Sequence, residues 1–563
     1  MKSFKHNKIL WLDLNSSYSH SSLALPAIHA QFSEDGGWVW SVVKATVNEP
    51  PGDIVSRISE ESPDVIAATC WLFTSDQLIA VLSRCKTLMD NVSIVLGGPE
   101  FLGDNESFLR RNEFVDCVFR GEGETVFPIW LGCFPDKRQW SEIQGLCYIG
   151  RDGVYYDNGK AVVSDFQSLN SPYKSRFFDW DKPFVQFETT RGCFNTCAFC
   201  VSSGEKPVRE LSLDQVRSRL EDIHSHGIRD VRMLDRTFNY DNRRALAMLD
   251  MFCDFHPDMR FHLEVHPALL SDQLRQKLMS LPKGMLHIEA GMQSLNQDVL
   301  EQCGRAGRLK AAVQGLRFLA SVDNLVVHAD LIAGLPGYSL EQVCKDVLTL
   351  AQIGVDEIQL ESLKVLPGTR MRRDAGALGI RYSPLPPYEV LSTGEITPQQ
   401  LRRAMFLSKM IDMYYNSHLW QRIFRRLLTG EDGTIFINSF LDYLIGNDFI
   451  SSPLGQERRG IILYEYCSTA YPDYLFDISQ AWIEAGMSLK KLPAERVRKV
   501  KYGSDILSET GADKLPQPEF GKYSESLRLF YLPSGQSSFT GCLYGFDSIS
   551  HSPYPVYKAL IHN

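Results

Sequence analysis

Apolar and polar positions along the first part of the chain alternate in a strand–helix rhythm. "KILWLDL" (Lys8–Leu14) is a continuous apolar run, the pattern of a strand buried on both faces. "SSYSHSSLALPAIHAQF" follows with capping hydroxyls and helical spacing. "WVWSVVKATV" reads as a strand, "GDIVSRISEESP" as a short helix, "DVIAATCWLF" and "VSIVLGG" as strands around the helix "SDQLIAVLSRCKTLMDN". "FVDCVFRGEGE" supplies a fifth strand and "TVFPIWLGCF" a closing helix. Five such units predict a doubly wound parallel sheet over residues 1–140. Ligands of such sheets bind at the carboxyl ends of the strands. There the turns "NSSYSHSS", "GGPEF" and "RGEGE" fall, and Gly97 and Gly98 are expected to let backbone approach a large flat ligand.

Residues 141–181 read as a connector with hairpin turn signals, "RDG" and "DNG", between alternating apolar residues. Over 182–395 the units lengthen. "FVQFETT", "DVRMLD", "RFHLEV", "LHIEAGM", "VVHADLIAGLP" and "EIQLESLKVLP" are strands, with helices such as "SLDQVRSRLEDIHSHG" between them, capped by Ser212 and stopped at Gly227. Six units are too few for an eight-fold barrel, so an open partial barrel is expected. Residues 396–563 read as amphipathic helices with one strand, "LRLFYLP", near the end. Arg402, Arg403, Arg425 and Arg426 fit an exposed helix face better than an anion site, and Trp420, Tyr466 and Trp482 fit a core.

The 563 residues exceed one ordinary core, in line with several domains. Net charge is −9, which argues against a general nucleic-acid or anionic-membrane binder. The apolar run near the N-terminus is short and contains Asp13, so neither a signal peptide nor a membrane span is expected. The odd count of 13 cysteines, mostly isolated, reads as reduced thiols plus one metal cluster, and a cytoplasmic location.

That cluster is "RGCFNTCAFC", where Cys193, Cys197 and Cys200 share one loop directly after the first barrel strand. Zinc sites prefer C-x2-C pairs repeated at a distance, and no second pair occurs. Three thiolates suit an iron–sulfur cube with one open iron.

At these residues the sequence resembles the radical SAM superfamily, with Phe199 at its aromatic position. The resemblance implies a 4Fe–4S cluster on Cys193, Cys197 and Cys200 and S-adenosylmethionine on the open iron. "MLDRTFN" with Asp235, "IEAGMQSLNQDVL" with Glu289 and Gln293, "DLIAGLPG" with Asp330, Gly334 and Pro336, and "KVLPGT" with Leu366 and Pro367 match the later barrel motifs and imply S-adenosylmethionine contacts. "VLGGPEF" and "RGEGE" are similar to the cobalamin-binding domain preceding the barrel in cobalamin-dependent radical SAM proteins. This implies cobalamin contacts from Gly97, Gly98, Pro99, Glu100, Gly121, Glu122, Gly123 and Glu124, with Asn15 and Ser16 from the first turn. The implied fold is α/β: a Rossmann-like doubly wound cobalamin-binding domain, a radical SAM partial (β/α)6 barrel and a mostly helical C-terminal domain.

Methylthiotransferases, which hold a second cluster on three N-terminal cysteines, are set aside because Cys70, Cys85 and Cys117 fall inside apparent strands or helices. The leading expectation is methylation of an unactivated carbon of a small-molecule or peptide substrate, with a reducing partner such as flavodoxin or ferredoxin. The alternatives are a radical rearrangement, cyclisation or ring contraction, and a non-catalytic iron–sulfur protein. No catalytic acid or base is assigned. The pattern D-x-H-x-x-G, which supplies a cobalt ligand in many cobalamin domains, occurs only as "DIHSHG", Asp222–Gly227, at a barrel helix end. Asn15 stands where the histidine would be, so cobalamin is expected without a histidine on cobalt, His20 being a fallback nitrogen.

Overall fold

The computed structural model describes residues 7–19, 22–33, 37–305, 307–488 and 490–491, and four later strands by their backbone. His20 lies outside the described residues. The chain divides into two compact units, Met1–Leu340 with Glu361–Leu401, and Glu341–Leu360 with Arg402–Asn563.

In the first unit the N-terminal strands are β1 (Lys8–Asn15), β2 (Val39–Thr46), β3 (Val65–Thr69), β4 (Ser93–Gly97), β5 (Cys117–Phe119), β6 (Leu146–Ile149) and β7 (Tyr155–Asp157). They form one sheet in the order β2-β1-β3-β4-β5-β6-β7, parallel through β5 and antiparallel beyond. Both faces are covered, which is why β1 reads as an unbroken apolar run. Leu10, Leu12 and Leu14 pack with Ile54, Ile58, Leu78 and Leu82 on one side; Ile9 and Trp11 pack with Leu25, Phe127 and Trp130 on the other. The hairpin signalled by "RDG" is β6–β7. It extends the N-terminal sheet, so that sheet runs past residue 140 into the segment read as a connector. Cys70 and Cys85 lie in the first of these cores and Cys117 in the second, on opposite sides of the sheet, so the three cannot share a metal cluster.

The second sheet of this unit contains β8 (Val185–Phe187), β11 (Asp230–Met233), β12 (Arg260–Glu264), β13 (Leu286–Gln293) and β14 (Leu325–Ala333), adjacent in that order and parallel. Between β8 and β11 lie β9 (Thr190–Arg191) and β10 (Arg209–Glu210), a two-stranded antiparallel pair. The helix Leu213–Ser225 begins with a capping box between Ser212 and Gln215 and ends before Gly227 at φ 74°. β13 alternates strictly: Leu286, Ile288, Ala290 and Met292 are buried, whereas His287, Glu289, Gly291 and Gln293 occupy the other face. The sixth expected strand is present as Glu357–Ser362, where the chain passes from the second unit back into the first.

The second unit is mostly helical, with Gln421–Thr429, Gly433–Gly446, Gln456–Ala470 and Leu475–Glu484 around the fully buried Trp420 and Trp482. Tyr466 packs on Phe440 and meets Ser439 Oγ at 2.6 Å. Arg403 pairs with Asp442 at 2.5 Å, Arg426 pairs with Asp477, and Arg402 lies over Phe406. The expected strand "LRLFYLP" is Arg528–Pro533, within a four-stranded antiparallel sheet with Arg496–Lys499, Phe539–Phe546 and Pro553–Tyr557. Among the described residues no helix is long and apolar enough to cross a membrane.

Candidate functional site

The loop after β8 starts from an anchored base. Asp235, at the tip of β11, is 1 % exposed and accepts from the backbone N–H groups of Thr189 (2.7 Å) and Thr190 (2.8 Å), and from the Thr189 hydroxyl. Burial pushes its carboxyl above the ordinary value, against these three donors. Asp235 thus fixes where the cysteine loop leaves the sheet and does not line the cavity beneath the loop. The loop is also tied down further along: Ala198 N–H donates to Cys303 O at 2.7 Å, Met371 N–H to Ala198 O at 2.8 Å, and the Thr196 hydroxyl to Gly304 O at 2.9 Å.

Cys193, Cys197 and Cys200 line one cavity of about 160 Å³. Phe199, Glu289, Gln293 and Asp330 line it too, so strands β13 and β14 bring their motif residues to the cysteines. Gly334 and Pro336 are packed past the end of β14, and Leu366 uses its carbonyl to accept from the Thr369 hydroxyl at 2.7 Å; none of the three lines this cavity. Eight further residues line it: Asn195 inside the cysteine stretch, Arg236 and Thr237 just after Asp235, Gly291 between Glu289 and Gln293, and Glu264, Val265, His266 and Arg305, which fall in none of the quoted motifs. Glu264 was readable, since it stands two positions from His262 at the carboxyl end of β12, the same placement as Glu289 on β13. Arg305, in the loop after Gln297–Gln302, gave no signal of its own. Its Nη1 lies 3.7 Å from Cys197 Sγ and its Nη2 donates to Gly291 O.

The donor set fits the implied groups. Three thiols converge, and burial raises Cys197 and Cys200 while Arg305 and Arg236 respectively oppose that rise. Glu264, Glu289 and Asp330 face the same cavity, and burial lifts the Glu264 carboxyl to about 7. Asn195 is 5 % exposed, and its Oδ1 is buried without a hydrogen-bond partner. A cavity with carboxyls, an idle amide oxygen and arginine suits a ligand with cationic and carboxylate ends, as S-adenosylmethionine has.

A second cavity, about 570 Å³, opens at the carboxyl ends of β3, β4 and β5. Gly97, Gly98, Pro99, Gly121, Glu122, Gly123 and Glu124 line it, together with Thr69, Trp71 and Arg191. Its size and largely apolar wall fit a large flat ligand such as cobalamin. Glu100, Asn15 and Ser16 do not line it. Glu100 accepts from Tyr388 Oη at 2.7 Å, and the Asn15 side chain bonds Asp13. The glycines are needed for a different reason than the one expected. Gly98 has φ 109° and ψ −177°, and a Cβ there would stand 2.7 Å from Cys70 O. Gly121 has φ 108°, and a Cβ would stand 2.2 Å from Ala161 O. Both turns close on neighbouring backbone; only Gly97, with nothing nearer than Phe119 Cβ at 3.8 Å, has space.

The acidic side chains of "RGEGE" are occupied as well. Glu122 binds Arg209 through both oxygens (2.7 and 2.8 Å), and Glu124 meets Arg191 Nη2 at 2.5 Å. Arg191 also pairs with Glu188 at 2.9 Å and lies over the Phe166 ring. It immediately precedes Gly192 and Cys193, so this network fastens the cysteine loop to the glycine-rich turn. His224 pairs with Asp258 at 3.1 Å and His226 stacks on Trp180; neither lines a cavity described above.

Known proteins resemble this chain over both of these regions. The family described as the radical SAM superfamily matches residues 187–350, that described as a B12 binding domain matches 12–131, and one described as a protein of unknown function (DUF4080) matches 377–481. An uncharacterised methyltransferase of Pyrococcus horikoshii is 24% identical over 57% of this chain and 71% of its own length. The cobalamin-dependent radical SAM methyltransferase TokK of Streptomyces tokunonensis is 22% identical over 54% of this chain; the match spans 47% of TokK, about half its length. The solved structure of the cobalamin-dependent S-adenosylmethionine radical enzyme OxsB, with aqua-cobalamin and S-adenosylmethionine bound, superposes with a TM-score of 0.58 at 13% identity, covering 91% of this chain and 82% of that one. At that identity it establishes the fold.

Proposed function

We propose that this chain, which belongs to the cobalamin-dependent radical SAM family, is a methyltransferase acting on an unactivated carbon of a small-molecule or peptide substrate. One observation carries the reading: Arg236 lines both cavities, and Val201 and Ser202 of the second directly follow Cys200 of the first. Two cofactor sites sharing a wall suit a reaction in which one site activates a carbon and the other supplies a group to it.

Cys193, Cys197 and Cys200 would hold a 4Fe–4S cluster, with S-adenosylmethionine along Phe199, Glu264, Glu289, Gln293 and Asp330, and cobalamin over Gly97, Gly98, Pro99 and the 121–124 turn. Bound there, the cluster with S-adenosylmethionine supplies a carbon-centred radical able to take hydrogen from an unactivated carbon, and cobalamin supplies a methyl group. The chain's own part is placement and shelter. Asp235 and the Arg191 network fix the cysteine loop against the N-terminal sheet. Arg305 sets positive charge beside Cys197, which favours the thiolate a metal needs. Electrons come from an external reductant such as flavodoxin or ferredoxin.

The test is product analysis by mass spectrometry with methyl-labelled S-adenosylmethionine and a candidate metabolite pool. Label on a substrate carbon is expected. 5′-Deoxyadenosine without label transfer would replace methylation by a rearrangement, cyclisation or ring contraction, and neither product would return the chain to a non-catalytic iron–sulfur role.

A further inference from the structure

We propose that Glu289 and Asp330 hold one proton between them on the wall of the cysteine cavity and release it when a cationic ligand enters. The inference deepens the functional reading above and rests on its assignment of S-adenosylmethionine to that cavity.

Strand register brings the two groups together. Across β13 and β14, Glu289 pairs with His328 and Gly291 with Asp330; across β12 and β13, Glu264 pairs with Glu289. The Glu289 and Asp330 carboxyls rise from adjacent strands into the same cavity, close enough to share a hydrogen bond. Ionised carboxylates only accept hydrogen bonds, so a bond between two carboxyl groups requires a proton on one of them. The surroundings decide which. Glu289 Oε2 lies 3.0 Å from His262 Nε2, and this contact holds the Glu289 carboxyl well below the ordinary carboxylate range. Asp330 is pushed well above the ordinary carboxyl value by burial and then by the Glu289 charge. The proton therefore resides on Asp330 and is donated to Glu289.

Within this unit the other groups around the pair are Glu264 and His262 on β12, His287 on β13, His328 on β14, Arg236 after β11 and Arg305 beyond β13. Arg236 Nη1 stands 3.9 Å from Glu264, and Arg305 is directed at Gly291 O and Cys197. Asp330 Oδ1 has no hydrogen-bond partner and lies 3.4 Å from His328 Nε2. Asn195 Oδ1, also without a partner, lines the same cavity. Two acceptor oxygens thus await a donor.

S-adenosylmethionine carries a sulfonium, an ammonium and one carboxylate, a net single positive charge. Bringing that charge into a cavity of low dielectric is opposed unless a positive charge leaves. Loss of the Asp330 proton to solvent keeps the charge of the site constant and gives the ligand a second carboxylate. His328 beside Asp330 and His262 beside Glu289 stand at the two ends of the pair as exits for it.

The experiment is titration calorimetry of S-adenosylmethionine into the full-length, iron–sulfur-reconstituted protein at pH 8.5, where Glu264 has already lost its proton, in buffers of different ionisation enthalpy. About one proton released per ligand is expected, with affinity rising about tenfold per pH unit while Asp330 remains protonated. Asp330→Asn, whose amide has no proton to release, is expected to bind with the buffer dependence lost. Should that variant not fold, difference infrared spectroscopy of the wild type decides alone: the protonated-carboxyl stretch is present before ligand addition and disappears after it. Binding heat identical in all buffers, or a carboxyl band unchanged by ligand, overturns the proposal. No heat in any buffer with the cluster intact overturns the ligand assignment of the functional reading instead, and proton release with it, even where the carboxyl band is seen.

Discussion

The two cavities of the first unit are built from opposite materials. The one beneath the cysteine loop is made of side chains with chemistry: three thiols, three carboxyls, two arginines and an idle amide. The one at the end of the N-terminal sheet is made largely of what is missing, small residues and bare backbone at Ala67, Ala68, Gly97 and Gly98, around the Trp71 and Phe119 rings. A small polar ligand is selected by donors and charges, a large flat one by space and apolar surface. The same difference separates how each cavity fails: the first loses its ligand when one side chain changes, the second when its backbone can no longer close.

The largest expected effect tests the first cavity. Replacing Cys193, Cys197 and Cys200 with Ala should remove the iron of the anaerobically reconstituted protein and abolish 5′-deoxyadenosine formation, while the N-terminal sheet stays folded and keeps its cobalamin. Full iron content in the triple variant would end the cluster assignment. Next comes the joint between the cavities. Arg191→Met strands the buried Glu124 carboxylate and leaves the half-buried Glu188 without its partner, at a cost of about 3–5 kcal/mol, read as lost stability in denaturant unfolding. A midpoint unchanged from wild type would show that this network fastens nothing.

Smaller effects separate the two roles of glycine in the second cavity. Gly98→Ala should destabilise by about 1–3 kcal/mol, because its backbone conformation excludes a side chain and Cys70 O stands in the way. Gly97→Ala should change stability by less than about 0.5 kcal/mol yet weaken cobalamin binding. Equal stability losses in both would mean that the turn, and not the cavity, needs them. The smallest effect is expected from His224→Ala: electron paramagnetic resonance of the cobalt(II) form should lack axial-nitrogen triplets before and after the change. Triplets that vanish in the variant would place that histidine on cobalt.

What the sequence disclosed follows the same division. The cysteine spacing, the alternation of "LHIEAGM" and the unbroken run of "KILWLDL" are local patterns, and each corresponds to an element observed. The turn "RDG" announced a hairpin but not its partner, because the pairing of β6 with β5 is decided by an apolar edge far back in the chain. Glu122 and Glu124 matched a motif by identity, but their partners Arg209 and Arg191 are distant in sequence, and only folding shows the carboxylates engaged. For Gly98 and Gly121 the motif marked the right turns. The reason, close approach to Cys70 and Ala161 backbone, is a tertiary fact.

The cysteine cavity and the glycine-rimmed cavity share a wall at Arg236, and in the proposed function they serve one reaction. That joint role is tested most directly by electron paramagnetic resonance of full-length protein loaded with reduced cluster, with cobalt(II) cobalamin, and with both. Each signal should be broadened and relax faster when the other centre is present. Doubly loaded protein whose spectrum is the plain sum of the two single spectra would contradict it.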